Sequence, residues 1–183
     1  DKENKISEAA MSSFREKGIE PTSIRDIMNR TGLGLGTFYN YFKDKKDLEQ
    51  KIVLDILTEL FYEAESTCQG DDLKKRYISF INYIIDYLVK DPLELQLISS
   101  NLNWALYAKV ENDDRYKEAE NSLQFILNKY SSLFNDELSD SERLFVLSLT
   151  IHIVLSTCES ALRPDSVLGI EEMKPALYKI VDR

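Results

Sequence analysis

The chain has 183 residues, 43% of them hydrophobic, and a formal net charge of −9. That apolar content supports a buried core, and four Pro with six Gly are too few for a turn-rich all-β chain. Two cysteines ninety residues apart exclude a disulfide framework and point to buried small side chains in a reducing compartment.

In chain order, Ile6, Ala10 and Phe14 recur every four residues, which predicts a helix over 2–17 that Gly18 stops. Thr22 and Ser23 offer hydroxyls at a second helix start, and Asp26 sits where the far side of a capping box belongs. Ile24, Ile27 and Met28 give that helix its apolar face, and Gly32 ends it where a left-handed residue is wanted. Leu33 plugs the turn, and a third helix is expected over Gly34–Phe42, with Phe38 and Phe42 four apart on one side. Two helices joined by a turn of three or four residues containing Gly form a helix-turn-helix, whose second helix suits a DNA major groove. A long helix then runs from about Lys45 to Cys68, long enough at ~1.5 Å per residue to reach into a second domain.

Asp71-Asp72 opens a fifth helix whose apolar face is Leu73, Tyr77, Phe80, Ile81, Ile84 and Leu88. Asp91-Pro92 ends it, because the residue before Pro avoids the α region. Pro92 then starts a sixth helix to about Leu106. Glu111 to Asp114 is a polar break, followed by helices over about Arg115–Leu133, Ser141–Arg163 and Glu171–Asp182. In the last of these, Pro175 predicts a loose turn before a regular helix. The sum is an all-α chain of about nine helices, with a helix-turn-helix domain at 1–48 and a helical bundle at 49–183. No signal peptide is visible, and the most apolar run, the twelve residues Leu144 to Leu155, is too short to span a membrane. Lacking an initiator Met, the sequence is expected to begin a few residues into the natural protein.

Charge is divided unevenly. Residues 1–48 sum to +1 and residues 49–183 to −10, so the acidic excess lies away from the helix-turn-helix, around which Arg25, Arg30, Lys43, Lys45 and Lys46 cluster. Attraction to phosphate is local, falling off over a Debye length of ~10 Å.

The run G-L-G-L-G-T-F-Y-N-Y-F-K-D-K-K-D-L, with I-S-E-A-A-M-S-S-F-R-E-K-G-I-E-P-T-S-I-R-D-I upstream, resembles the signature of the tetracycline-repressor-like (TetR/AcrR) family of bacterial transcription regulators. The resemblance covers about the first fifty residues, with Ala9-Ala10, Phe14, Gly18, Thr22-Ser23, Ile27, Gly32, Gly36-Thr37, Tyr39, Phe42, Lys45 and Leu48 in register. It implies DNA contacts from Ser23, Arg25, Gly34, Leu35, Gly36, Thr37, Tyr39, Tyr41 and Lys45; Asn40 adds an amide able to pair with adenine. Thr37, Tyr39 and Tyr41 carry hydroxyls for phosphate, and Lys45 carries charge at a helix N-terminus. The sequence departs from the family at Gly34, where a capping residue is usual, and at Leu35, where a polar or basic one is common; Leu35 has only a thymine methyl to touch.

The rest of the chain holds no chemistry of its own. Gly32, Gly34 and Gly36 follow no strand and precede no G-K-[ST], so they do not form a nucleotide loop. His152 is the only histidine and has no metal-ligand partners at the right spacing. No catalytic constellation and no cofactor are expected; a helical-bundle enzyme would need both a site and a nucleophile that the sequence does not offer. The second domain is rich in aromatic residues with interspersed amides, as apolar ligand pockets are, and the family resemblance implies an effector there. Tyr83, Tyr87, Asn101, Trp104, Tyr107 and His152 are its candidate contacts.

The helix over 141–163 is apolar nearly all round, which predicts burial on every side. Pairing it and the last helix with their copies would form a four-helix interface through Leu149, Ile153, Ser156, Leu177 and Ile180. The expectation is a cytoplasmic homodimeric repressor released from a palindromic operator on double-stranded DNA by a small apolar or aromatic effector, with no membrane partner. The rival is a protein-interaction module on the same fold without operator binding, which Leu35 and the acidic body favour.

Overall fold

The computed structural model describes residues 1–107, 125, 128–130, 133 and 138–181, with the side chains of 102–107, 140, 144 and 181 outside the description. Asp1 accepts the amide of Glu3 and starts α1, Lys2–Lys17, which Gly18 ends at φ 87°. The capping box expected at Ser23 and Asp26 is present and opens α2, Ile24–Thr31; Gly32 closes it in the left-handed region, φ 68° and ψ 11°. A short α3, Leu35–Phe38, follows, then α4, Lys45–Thr67, α5, Leu73–Leu88, and α6, Pro92–Tyr107. After the residues outside the description come α7, Asp140–Leu162, capped by a Ser139–Glu142 box, and α8, Ile170–Val181. Among the described residues there is no strand.

Ile6, Ala10 and Phe14 of α1, Ile27 and Met28 of α2, and Phe38 and Phe42 meet Leu48 of α4 in one buried cluster. The cluster continues along α4 through Ile52, Val53, Leu60 and Phe61 to Tyr77, Phe80 and Ile85 of α5, Leu97 and Ile98 of α6, and Val154 and Leu155 of α7. The long helix α4 is therefore the shared wall: its first turns close the N-terminal trio, and its remainder packs on α5 and α6.

Four expectations need correction. The third helix is not Gly34–Phe42 but four residues; beyond Phe38 the chain tightens into turns, with Asn40 N–H donating to Thr37 O at 3.3 Å and Tyr41 N–H to Phe38 O at 3.0 Å. The last helix is regular from Ile170, with Pro175 inside it. Here the buried ammonium of Lys174 bridges Asp86 at 2.6 Å and Glu171 at 2.7 Å, tying the turn before the proline onto α5. α7 is not buried all round, since Phe145, Leu149 and Ile153 remain exposed. Finally, Ser141–Leu162 is long and apolar enough by length and composition to cross a membrane; counting only the uninterrupted run missed this, although Leu147, Val154, Leu155 and Cys158 pack its inner face into the protein. Of the helix expected over 115–133, residues 125 and 128–130 are helical, and the rest, with the break at 111–114, lies outside the described residues.

Candidate nucleic-acid interface and apolar cavity

The turn between α2 and α3 is built from the inside out. Thr31 Oγ1 donates to Met28 O at 2.8 Å and accepts Leu33 N–H at 3.0 Å, which holds the turn while Gly32 supplies the left-handed residue. Ile27 and Phe38 bury their side chains beneath it. At the start of α2, Asp26 accepts Lys17 Nζ at 2.7 Å, Ser23 Oγ at 2.6 Å and Ser23 N–H at 3.0 Å. These bonds hold the Asp26 carboxyl well below the usual aspartate range, the Lys17 bond contributing most.

Above this frame lies an open surface. Arg25, Gly34, Leu35, Gly36, Tyr39 and Asn40 are exposed, with Thr37 and Tyr41 half-buried at its edge. Leu35 keeps 42% of its surface open and Tyr39 57%. Of the ten residues assigned to DNA, six are thus exposed and two half-buried, while Ser23 has its hydroxyl engaged with Asp26. Lys45 is placed otherwise than expected. Its half-buried ammonium donates to the carbonyls of Ile19 at 2.9 Å, Glu20 at 3.2 Å and Thr22 at 3.1 Å. A lysine with its three donors on three carbonyls clamps the α1–α2 connection rather than offering a loose charge. The N-terminus of α4 is likewise taken by carboxylates: Asp44 accepts Asp47 N–H at 2.8 Å, and Asp47 accepts Lys43 N–H at 2.9 Å.

Of the eight other cations of the first 48 residues, four are paired: Arg15 with Asp91, Arg30 with Glu16, Lys17 with Asp26 and Lys46 with Glu49. The side chains of Lys2, Lys5, Arg25 and Lys43 are exposed and have no ion pair among the described residues. Lys2 and Lys5 were not singled out from sequence, where nothing distinguishes a free lysine from a paired one.

A second feature lies between α4, α5, α6 and α7. A cavity of about 60 Å³ is lined among the described residues by side chains such as Leu60, Phe61, Phe80, Ile84, Ile98 and Ile151, with hydroxyls only from Tyr77 and Thr150. Burial pushes the Tyr77 phenol up, with a hydrogen bond to Thr150 acting the other way. The buried Tyr130 ring lies tilted against that of Tyr77, 4.8 Å between centroids, and its hydroxyl donates to Glu65 at 2.6 Å; burial raises its phenol to about 12.

Of the six residues proposed as effector contacts, the four with described side chains do not line this cavity. Tyr83 donates to Glu63 at 3.0 Å, Tyr87 to Glu94 at 2.6 Å, and Asn101 to Leu97 O at 2.8 Å. His152 donates from Nδ1 to Ser148 O at 2.7 Å on an exposed face, and the side chains of Trp104 and Tyr107 lie outside the description. The wall consists instead of apolar faces of all four helices, among them that of α5, which sequence periodicity showed but which reads equally as core.

One contact joins the two features. Arg15 of α1 forks onto Asp91 at 3.1 and 2.5 Å, with Glu94 at 3.7 Å. Asp91 in turn accepts the amides of Leu93 and Glu94 at the start of α6. Burial alone would raise the Asp91 carboxyl, but Arg15 and these amides outweigh it and hold it below its ordinary value. Sequence gave no sign of this pair, whose partners lie 76 residues apart.

On the far side, Phe145, Leu149 and Ile153 form an exposed stripe four residues apart on α7, joined by Ser156, and Ile180 of the neighbouring α8 is exposed too. Leu177, assigned to the same interface, instead points into its own protomer and is buried.

Residues 6–51 match the family described as bacterial regulatory proteins, tetR family. The chain is 37% identical over 71 residues to the uncharacterized HTH-type transcriptional regulator YvdT of Bacillus subtilis (strain 168), covering 39% of this chain and 37% of that protein. It is 32% identical over 110 residues to an HTH-type transcriptional regulator of Staphylococcus aureus (strain USA300), covering 56% of this chain and 57% of the relative. The matches thus span between about a third and somewhat over half of those relatives' length. In three dimensions the chain is similar to the transcriptional regulator FadR from Bacillus subtilis in complex with stearoyl-CoA, with a TM-score of 0.61 at 16% identity over 97% of this chain and 96% of that one, a shared fold.

Proposed function

Starting from the match of residues 6–51 to the tetR family of bacterial regulatory proteins, we propose that this chain is a ligand-responsive transcription regulator of the cytoplasm, acting as a repressor. Residues 1–48 hold duplex DNA, and residues 49–183 bind a small apolar effector and a second copy of the chain. The observation that carries the reading is the exposure of Arg25, Gly34, Leu35, Gly36, Tyr39 and Asn40 on a capped helix-turn-helix whose core, Ile27 and Phe38, is closed. Asn40 offers an amide to a base edge, Tyr39 a hydroxyl to phosphate, and Arg25 and Lys43 charge that is unpaired among the described residues.

The cavity supports the effector half of the reading. Its wall has no charged group among the described residues, so it suits a hydrocarbon. The FadR structure holds stearoyl-CoA, a ligand with a long alkyl chain, and an apolar chain is the effector class that best fits this lining. At about 60 Å³ the cavity is well below the ~300–1,000 Å³ of a drug-sized site, so such a ligand must part the helices around it. One of these is α6, whose first turn is tied to α1 through Asp91 and Arg15. Moving α6 then moves α1, and with it the DNA face. The effector acts only by its differential affinity for the two arrangements.

The stripe of Phe145, Leu149 and Ile153 with Ile180 suits pairing with its copy about a two-fold axis. Two reading helices ~34 Å apart would then meet a palindromic operator, and small tilts of either would misplace it.

The test is a titration of fatty acids and acyl-CoAs of increasing chain length against chain bound to a DNA fragment selected from the source genome. Ligands that fit should release the fragment and also raise the melting temperature; at 100 times the dissociation constant, binding adds ~2.7 kcal/mol to the native state. Ligands that stabilise the protein yet leave its DNA affinity unchanged would count against the repressor reading.

A further inference from the structure

Two exposed glycines, Gly34 and Gly36, are not required by a left-handed backbone or by close packing, although Gly34 also serves as the N-cap of α3. Gly18 and Gly32 hold positive φ, where other residues are strained. Gly34 does not: its φ of −65° and ψ of 146° are open to any residue. Gly36 lies inside α3 with no positive φ, and a Cβ built at either position meets nothing within 4 Å. Alanine would fit at both, and at Gly36 it would favour the helix. Between them stands Leu35, exposed and absent from the apolar side chains that pack on the core. In sequence, the apolar Leu35 side chain thus stands between two positions that carry none.

Such an arrangement matches a partner that comes within backbone distance and offers a small apolar group. In the major groove, the C5-methyl of thymine is the apolar feature on a base edge, and leucine has no donor or acceptor with which to read anything else there. We infer that Leu35, framed by the bare positions Gly34 and Gly36, reads a thymine methyl, so that thymine at one position of each operator half-site is a specificity determinant. The inference rests on the DNA-binding reading above.

The test uses the full chain and a selected operator in which each thymine is replaced, one at a time, by deoxyuridine, which lacks only the methyl. Wild-type chain should lose about fourfold in affinity at one position per half-site, the worth of one buried methyl. Leu35→Ala, an exposed substitution, should fold normally and bind with no sensitivity to that same replacement. Gly36→Ala should raise the melting temperature while weakening binding to every sequence by tenfold or more. If wild-type chain binds the operator but no uracil position matters, or if Leu35→Ala keeps the same sensitivity, the thymine assignment is wrong and DNA binding stands. Wild-type affinity in Gly36→Ala would overturn the close approach. A wild-type chain that retains no duplex at all would remove both this inference and the reading beneath it.

Discussion

Lys45 illustrates how a residue in a familiar position takes on a different task. Its place at the head of α4 suggested phosphate; its three carbonyl partners make it the clamp that fixes the loop from Ile19 to Thr22 against α4. Lys45→Ala should therefore lower stability to denaturant by ~1.5–3 kcal/mol, the range for hydrogen bonds to a charged donor. A variant with unchanged stability and weakened DNA binding would restore the phosphate assignment. The position was legible and the partners were not, because a loop carbonyl leaves no trace in composition. The cysteines were legible as buried. Cys158 is fully buried, and burial pushes its thiol up to about 12; Cys68 is shifted in the same direction by the same cause. Neither should react with a thiol reagent at pH 8 until the chain is unfolded, a contrast that absorbance of the released chromophore measures directly.

Among the elements, those with local signals were read well. Ser23, Asp26 and Gly32 fix α2 from its own sequence, and the alternation of Ile6, Ala10 and Phe14 fixes α1. α3 was read too long because Phe38 and Phe42 share a face in a helix and in the tight turns that replace it. The Arg15–Asp91 tie between α1 and α6 was invisible, since it depends on how two helices distant in sequence come to lie together. Its pH dependence follows from direction alone. The Asp91 carboxyl is held below its ordinary value of 3.8 in the folded chain, so the tie contributes fully above that value and is lost as pH falls through the folded one. Arg15 is half exposed, so solvent screening limits the contribution to ~0.5–1 kcal/mol. Wild type should exceed Arg15→Met in denaturant stability by about that much at pH 7, and the gap should close as the pH is taken below 3.8. A gap that persists in acid would mean that packing of the arginine stem, not the charge pair, holds α1 to α6.

At the scale of the whole molecule, the all-helical class and the separation of a near-neutral N-terminal part from an acidic remainder were legible, because periodicity and charge are properties of the sequence itself. The cavity was not, since an aliphatic face reads the same whether it meets another face or a void. The apolar excess of α7 was legible, and the structure adds which side of it is open. Ile153→Glu places a charge on that open stripe, where a protomer tolerates it and a pair does not. Sedimentation at micromolar concentration should show a dimer for the wild type and a folded ~21 kDa monomer for the variant. A wild-type monomer that still holds its operator tightly would remove the two-fold arrangement.

The central claim is that the open face on α2 and α3 holds DNA by local positive charge in spite of an acidic body. Fluorescence anisotropy of a selected duplex across a salt series tests it most directly. The expected result is an affinity that falls linearly with the logarithm of salt concentration, with a slope that shrinks by about 0.9 per subunit when Arg25 or Lys43 is replaced by alanine. A flat salt dependence, or a slope that neither substitution alters, would contradict the claim.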